Sequence, residues 1–418
     1  MSDNNQSKAK LLIERGVKIL APETVEIGED VNPDRISPDR VTIYPGCRLF
    51  GDDTLVMAGA TLGFEGPATI VNCQVGPGAE LKAGYFQQAT FLAKTSLGLG
   101  AQIREGCLIE EQAGGAHCVG LKQTILFPFV TLGSLINFCD CLMAGGTSRK
   151  DHSEVGSSYI HFNFTPNGDK ATPSLIGDVP RGVMLKEPPI FLGGQGGLVG
   201  PVRVGFGVVV AAGTILRKDA PEDGKMILGS SAPARTVPHH PGLYGAVQGR
   251  TLNNINYIAN LIALRRWYLH VRPLFLSGDF FREELLRGAI AKIDLGLKER
   301  VKRLIAFAEK LPESARLHAR ERGGENSSRC GKRKEELYQA RHRLEELFLR
   351  ARGEESGAEK RDPFVETVDH LRRETGGSYI EVIQKLSPPV AGAGTRWLQG
   401  VVDEITAAAL EIIPSFQA

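Results

Sequence analysis

Aliphatic residues recur at every sixth position in "IFLGGQGGLVGPVRVGFGVVVAAGTILRKD", residues 190–219: Leu192, Leu198, Val204, Val210 and Leu216, with Val202, Val208 and Thr214 as a second series. Neither the helical period of about 3.6 nor the strand period of about 2 describes this beat. The same spacing runs earlier through Tyr85, Phe91, Leu97, Ile103 and Ile109. Sustained self-similarity of this kind predicts an all-β solenoid, a parallel β-helix of hexapeptide repeats in which each hexad is one short strand and a turn. Three hexads would close one triangular coil of about eighteen residues. Aliphatic residues then point inward, and Gly, Asn and Asp take tight corners closed to β-branched side chains. An ordinary buried sheet would not hold so strict a register. The spacing leaves the hand of the coil open, although general crossover statistics favour a right-handed path.

Three textures divide the chain. Residues 1–24 predict a short lead-in helix, "KAKLLIERGVKI", ending at Pro22, and the hexad texture then predicts a β-helix domain over 25–238. From "LYGAVQGRTLNNINYIANLIALRRWYLHVRPLF" onward the apolar positions fall at helical spacing and glycine becomes sparse within segments, so residues 239–418 predict an α-helical C-terminal domain. Within it "RERGGENSSRCGKRKEE" is expected to link helices. "KRKEELYQARHRLEELFLRAR" reads as a charged amphipathic helix with acid–base pairs at i,i+3 and i,i+4, facing solvent or another subunit.

Composition narrows the field. In 418 residues with 42% hydrophobic, 23% charged and a net charge of +2, nothing draws the chain toward nucleic acid. The start "MSDNNQSKAK" is polar with no apolar run behind it, and no apolar stretch reaches the roughly eighteen residues of a membrane span, so a cytoplasmic location is expected. The 7 cysteines are scattered, with Cys139 and Cys141 as the close pair, which reads as reduced buried thiols. The four-ligand spacing of a structural zinc site is missing, and no metal is expected.

Residues 14–235 resemble the acetyltransferase half of the bacterial bifunctional enzymes that acetylate glucosamine-1-phosphate and then uridylate it, members of the left-handed β-helix hexapeptide acyltransferases. "ERGVKILAPETVEIGEDV" is similar to the family's entry into the β-helix, and "FLGGQGGLVGPVRVGFGVVVAAGT" to its last coils, without a gap. The resemblance implies a left-handed coil, a homotrimer with sites between neighbouring β-helices, acetyl-CoA as cosubstrate, and a sugar phosphate or nucleotide sugar as acceptor. No Gly-rich nucleotide loop precedes the β-helix, so uridylyl transfer has no visible site.

Acyl transfer needs a base for the attacking amine or hydroxyl, donors for the thioester oxyanion, and cations for a phosphorylated acceptor. Arg104 and Lys122 match the family's two sugar-phosphate ligands; eighteen residues apart, they are expected to stack at about 4.8 Å as a like-charge pair bridged by an anion. Asp140, another eighteen on, is expected to pair with Lys122 or orient the substrate amine. In "NFTPNGDKATPSLIGD" the resemblance puts Asn163, Phe164 (where a tyrosine is usual) and Lys170 on the substrate. The family's catalytic histidine has no counterpart: "INFCDCLMAGG" offers Phe138 or Asp140 in its place. The extra "GTSRKDHS" could loop back into the site, which makes His152, flanked by Asp151 and Glu154, the candidate base. His161 and His117 read as structural. Gly194 and Ala212, also eighteen apart, match the positions at the thioester end, and Arg217 and Lys218 could meet the cofactor's pyrophosphate. In the insertion "GDVPRGVMLKEPPI", Arg181 and Lys186 could cap the acceptor pocket or lie on a surface loop.

The expected function is an acyl-CoA-dependent transferase acting on a phosphorylated or nucleotide-linked amino sugar. A noncatalytic sugar-nucleotide binder or scaffold is the alternative. A γ-type carbonic anhydrase would need three converging histidines, and His117, His152 and His161 lack that spacing. A uridylyltransferase is expected to fail for want of its domain.

Overall fold

The computed structural model describes residues 3–229, 236, 238–245, 247–321, 325–354 and 356–417. Short parallel strands stack into three faces among the described residues. Face A has 11 strands, from Lys18–Ile19 to Met226–Ile227; face B has 10, from Glu26–Ile27 to Ile215–Leu216; face C has 8, from Leu55–Val56 to Arg203–Val204. The chain visits A, B and C in turn, so each circuit adds a strand to every face and the result is a parallel β-solenoid. Three edges follow, A–B, B–C and C–A, each a column of turns.

The inward hexad residues close the interior: Leu97, Ile103, Ile109, Leu192, Leu198 and Val210 are completely buried, each worth about 1.5–3 kcal/mol relative to exposure. The register departs from a fixed eighteen. Gln102 pairs with Gly120, eighteen residues on, but Gly84 pairs with Ala101 and Gly120 with Asn137, each seventeen on. The inward residue opposite Ile103 is therefore Phe86, not Tyr85. The corners also differ from expectation: Gln88, Lys94, Gln112, Cys118 and Leu135 adopt positive φ beside the glycines. Each such non-glycine corner costs roughly 1 kcal/mol, offset by the coil it closes.

Helix α1 (Asp3–Arg15) seals the first coil. Its Lys8 Nζ donates to the carbonyls of Gly28, Glu29 and Val31 at 3.0, 2.7 and 2.8 Å. The first strand, Lys18–Ile19, already pairs with Thr42–Ile43, so the solenoid starts before residue 25. A short helix, α2 (Val179–Gly182), interrupts the path from face C to face A.

The C-terminal region is helical from residue 247: α3 (Val247–His270), α4 (Phe280–Glu309), α5 (Leu311–Glu321), α6 (Glu325–Gly353), α7 (Ala358–Thr375), α8 (Tyr379–Lys385) and α9 (Pro388–Ile412). The expected linker is mostly the start of α6, whose Leu337, Leu344 and Phe348 are buried and turn one side of the charged helix inward. Helices α3 and α4 lie on face C. Gly288 lets α4 approach: a Cβ there would fall 2.4 Å from Gln74 Oε1. Polar contacts fix the docking. Tyr268 donates to Glu110 at 2.5 Å, Arg272 pairs with Glu111, and Asn260 accepts from the Val179 amide at 3.0 Å. Among the described residues, no helix is long and apolar enough to cross a membrane.

Candidate functional site

The predicted residues fall on different edges of the prism. Arg104 and Lys122 sit on the B–C edge, and the Gln102–Gly120 register stacks them one coil apart as expected. Lys122 already has an anion of the chain's own: Glu105 Oε1 lies 2.5 Å from its Nζ. Partial burial works against ionising Glu105, but the Lys122 hydrogen bond and the Lys122 and Arg104 charges prevail and hold its carboxyl below the usual range. The sequence carried this signal in "QIREG", where an acid adjoins the arginine on a corner.

Asp140 does not pair with Lys122. The coil above Lys122 is seventeen residues long, so Lys122 faces Cys139 and Asp140 turns the corner at a φ of 63°. Asp140 points into a buried junction with the helical region, where Arg300 of α4 meets its Oδ1 at 2.6 Å with both side chains almost fully covered (3% and 5% exposed). Asn163 Nδ2 donates to its other oxygen at 3.1 Å. Beside them, buried His161 has Nδ1 against the Cys139 carbonyl at 2.5 Å and Nε2 against Ser174 Oγ at 2.8 Å. Burial pushes this imidazole down to about 4 and keeps it neutral.

The loop holding Asn163, Phe164 and Lys170 rises on the same edge and is gripped by the helices. Arg250 pairs with Asp169 at 2.9 Å, Arg300 Nη1 donates to the Lys170 carbonyl at 3.3 Å, Asn254 donates to the Ala171 carbonyl at 2.9 Å, and Lys310 donates to the Asn167 carbonyl at 3.0 Å. Phe164 is 61% exposed, with Lys170 Nζ 5.9 Å from its ring centroid. Arg217 and Lys218 are exposed at the upper end of this edge.

Gly194 and Ala212 stand on the A–B edge, stacked through the Leu192–Val210 register. A Cβ on Gly156 would fall 2.4 Å from the Gly194 amide, so the column of small residues continues one coil lower.

His152 stands on the third edge. The Gly146–His152 hairpin leaves face C and returns to face A, and it does not loop back to Arg104 and Lys122. Arg149 Nη1 ties it to the Gln112 and Phe129 carbonyls at 2.9 and 3.2 Å, and Gln384 of α8 donates to the Thr147 carbonyl at 2.5 Å. His152 Nδ1 meets the Arg149 carbonyl at 3.0 Å and Nε2 lies 3.7 Å from Glu154, while Asp151 accepts from Thr147 instead. His117, His152 and His161 therefore do not converge, and no group of three or more metal-ligating side chains gathers among the described residues. Arg181 and Lys186 do not cap the acceptor side. Arg181 pairs with Asp178 and Asp223 at 2.7 and 2.5 Å, and Lys186 donates to the Gln384 carbonyl at 2.6 Å. Their insertion anchors the helices.

Five cysteines are buried as expected, but Cys118 is exposed on the A–B edge and Cys330 is half-buried. A cavity of about 570 Å³ opens between the C–A edge and the helices, lined by Lys94, Glu111, Arg372 and Tyr379. It contains none of the predicted site residues.

The parallel solenoid of hexads is the architecture that the resemblance to the hexapeptide acyltransferases implies, here followed by a helical region. Curated relatives agree with the resemblance seen in the sequence. The bifunctional protein GlmU of Nitratidesulfovibrio vulgaris strain DP4 is 30% identical over 216 residues, 50% of this chain and 41% of that protein. The GlmU of Kineococcus radiotolerans is 28% identical over 244 residues, 57% of this chain and 44% of that one. The chain thus spans under half the length of these relatives, and the solenoid fits their acetyltransferase half. Among solved structures, the UDP-N-acetylglucosamine O-acyltransferase LpxA of Moraxella catarrhalis matches at 11% identity and a TM-score of 0.26, over 66% of this chain and 96% of that one. No protein-family model matches the chain.

Proposed function

We propose that this protein is an acyltransferase that moves an acyl group, acetyl in the first instance, from coenzyme A to a phosphorylated or nucleotide-linked amino sugar such as glucosamine-1-phosphate. The observation that carries the reading is the Arg104–Lys122 stack on the B–C edge. Two cations one coil apart with a single carboxylate, paired with Lys122, leave net positive charge for an acceptor phosphate. Asn163, Phe164 and Lys170 would line the sugar above it, Gly194 and Ala212 would admit the pantetheine arm, and Arg217 and Lys218 would meet its pyrophosphate.

The acting unit is a homotrimer in this reading. Face C is occupied by the chain's own helices, whereas exposed apolar residues rise along the A–B edge (Phe64 61%, Leu99 51%, Leu135 54%) and on upper face B (Ile160 41%, Phe162 41%, Ile215 41%). Exposed apolar residues recurring along one edge and the face beside it favour burial against another copy.

A noncatalytic sugar-nucleotide binder is favoured by one observation: no exposed histidine stands beside the clamp within one chain, among the described residues. Release of free thiol from acetyl-CoA by the purified protein, with glucosamine-1-phosphate and then UDP-linked amino sugars as acceptors, decides between them. Acceptor-dependent release that falls when Lys122 becomes Ala, through a higher apparent KM, supports the transferase. Silence across the panel with no stabilisation by acyl-CoA refutes it.

A further inference from the structure

We infer that the cavity of about 570 Å³ between the C–A edge and the helices is a second ligand site, shaped for a nucleoside phosphate and separate from the acceptor clamp. The inference stands apart from the acyltransferase reading, because it uses none of the residues assigned to that reaction.

One wall belongs to the solenoid and the other to the helices. Met57, Lys94 and Glu111 lie on corners of the C–A edge, each between a face C strand and the next face A strand. Opposite them stand Phe275 after α3, Arg282 in the first turn of α4, Arg372 near the end of α7 and Tyr379 at the start of α8. The volume falls within the range of about 300–1,000 Å³ that takes up a small organic molecule.

The charge of the lining leans toward cations. Lys94, Arg282 and Arg372 face a single carboxylate, Glu111, and Glu111 already pairs with the fully buried Arg272. Lys94 Nζ makes no ion pair among the described residues. Glu381, which feels its charge, accepts instead from the Ser378 amide and hydroxyl at 2.8 and 3.0 Å. Arg282 meets Asp279 through Nε at 3.1 Å, and Arg372 shares Asp369 with Arg373. Positive charge left over in this way suits a multiply charged phosphate.

The buried side has a different chemistry. The Glu111 side chain is 10% exposed; one oxygen pairs with Arg272, and Oε2 has no hydrogen-bond partner among the described residues. A buried carboxylate oxygen without a donor is costly, and an amino or hydroxyl group of a ligand would supply one. Phe275, packed edge to face on Tyr379 at a centroid distance of 5.5 Å, and Met57 offer apolar surface to a flat ring. Inorganic phosphate would leave that surface bare, and an acyl chain would leave Glu111 without a donor. A nucleoside phosphate answers all three features. Bound there, it would touch the C–A edge, α4, α7 and α8 together and so tie the helical region to the solenoid.

The test is isothermal titration calorimetry on the full-length protein with the ribonucleoside mono- and diphosphates, using inorganic pyrophosphate and the free nucleosides as controls. At least one nucleotide should bind, and it should raise the melting temperature as its concentration rises. Lys94→Asn removes the charge with a residue that tolerates the left-handed corner at a φ of 58°. That variant and Arg282→Gln should each weaken binding roughly tenfold, while Lys122→Ala leaves it unchanged. Absence of binding by every nucleotide overturns the inference. Binding that Lys122→Ala abolishes and Lys94→Asn spares overturns it too, since the nucleotide would then sit on the clamp. Pyrophosphate that binds as tightly as the best nucleotide also overturns it, because the cavity would then select charge alone.

Discussion

Replacing Arg300 by Met tests how the helical region supports the acceptor loop. The Arg300–Asp140 pair is 2.6 Å apart with both side chains nearly sealed from solvent. At an effective dielectric of about 20 that separation corresponds to about 6 kcal/mol of gross attraction. Desolvation offsets much of it in the wild type, but methionine would leave the Asp140 carboxylate buried with Asn163 as its remaining side-chain partner. Removing one member of such a pair costs roughly 3–5 kcal/mol. Adding Asp140→Asn removes the stranded charge, so the double variant should recover about 2 kcal/mol or more of that loss. The pH response is a sharper check. Arg300 is among the groups that hold His161 low, and Asp140 opposes it. Without Arg300 the imidazole protonates more readily and its charge compensates Asp140, so the penalty should shrink from pH 7.5 to pH 5. Guanidinium denaturation of the single and double variants at the two pH values, at fixed protein concentration, gives both numbers. A penalty under about 1 kcal/mol, or one that grows on acidification, would refute the reasoning.

Three further outcomes are expected. Gly288→Ala should destabilise by about 1–3 kcal/mol despite the better helix former, because its Cβ would meet Gln74, a side chain pinned by Thr90 and Asp53; a higher melting temperature would show that α4 can back away. His161 sits at about 4 in the folded chain and near 6.5 when unfolded. The unfolded chain therefore takes up the proton first, and stability should fall by up to about 3 kcal/mol as pH drops from about 6.5 to 4, a slope that His161→Gln flattens in denaturation series. Burial raises Glu110 to about 7 against the opposing charge of Arg272. Its contribution is thus present in acid and lost as pH rises through 7, and Glu110→Gln should be more stable than wild type at pH 8 and no better at pH 5; equal curves at both values would count against it.

The hexad beat made the solenoid legible, because an inward aliphatic every six residues has no other simple geometry. What it hid was the drift between sixteen, seventeen and eighteen residues per coil. Read at a constant eighteen, Asp140 belongs above Lys122; read at the true seventeen of Gly120–Asn137, it becomes the corner residue that turns inward to Arg300. Arg104 and Lys122 were placed correctly because their own coil has eighteen residues. His152 looked catalytic through its acidic neighbours, yet a local cluster says nothing about which edge bears it.

Which face the helices would cover was written in the sequence as well, in a form the hexad count passes over. On faces A and B the outward strand residues are largely polar or small, such as Thr42, Thr61, Glu80 and Ser96 on A and Glu26, Arg48, Thr69 and Gln102 on B. On face C every strand below Arg203–Val204 is instead apolar or uncharged on both sides: Leu55–Val56, Ala89–Phe91, Cys107–Ile109, Ile125–Leu126, Cys141–Met143 and Ser174–Ile176 are buried at every position. A strand buried on one side alternates, and a strand buried on both runs apolar without a break. One strand in three therefore announces a covering layer, and α3 and α4 supply it. The same helices bring Arg250 and Arg300 to the acceptor loop, so the packing that hides face C also fixes Asn163 and Lys170 on the edge beside it.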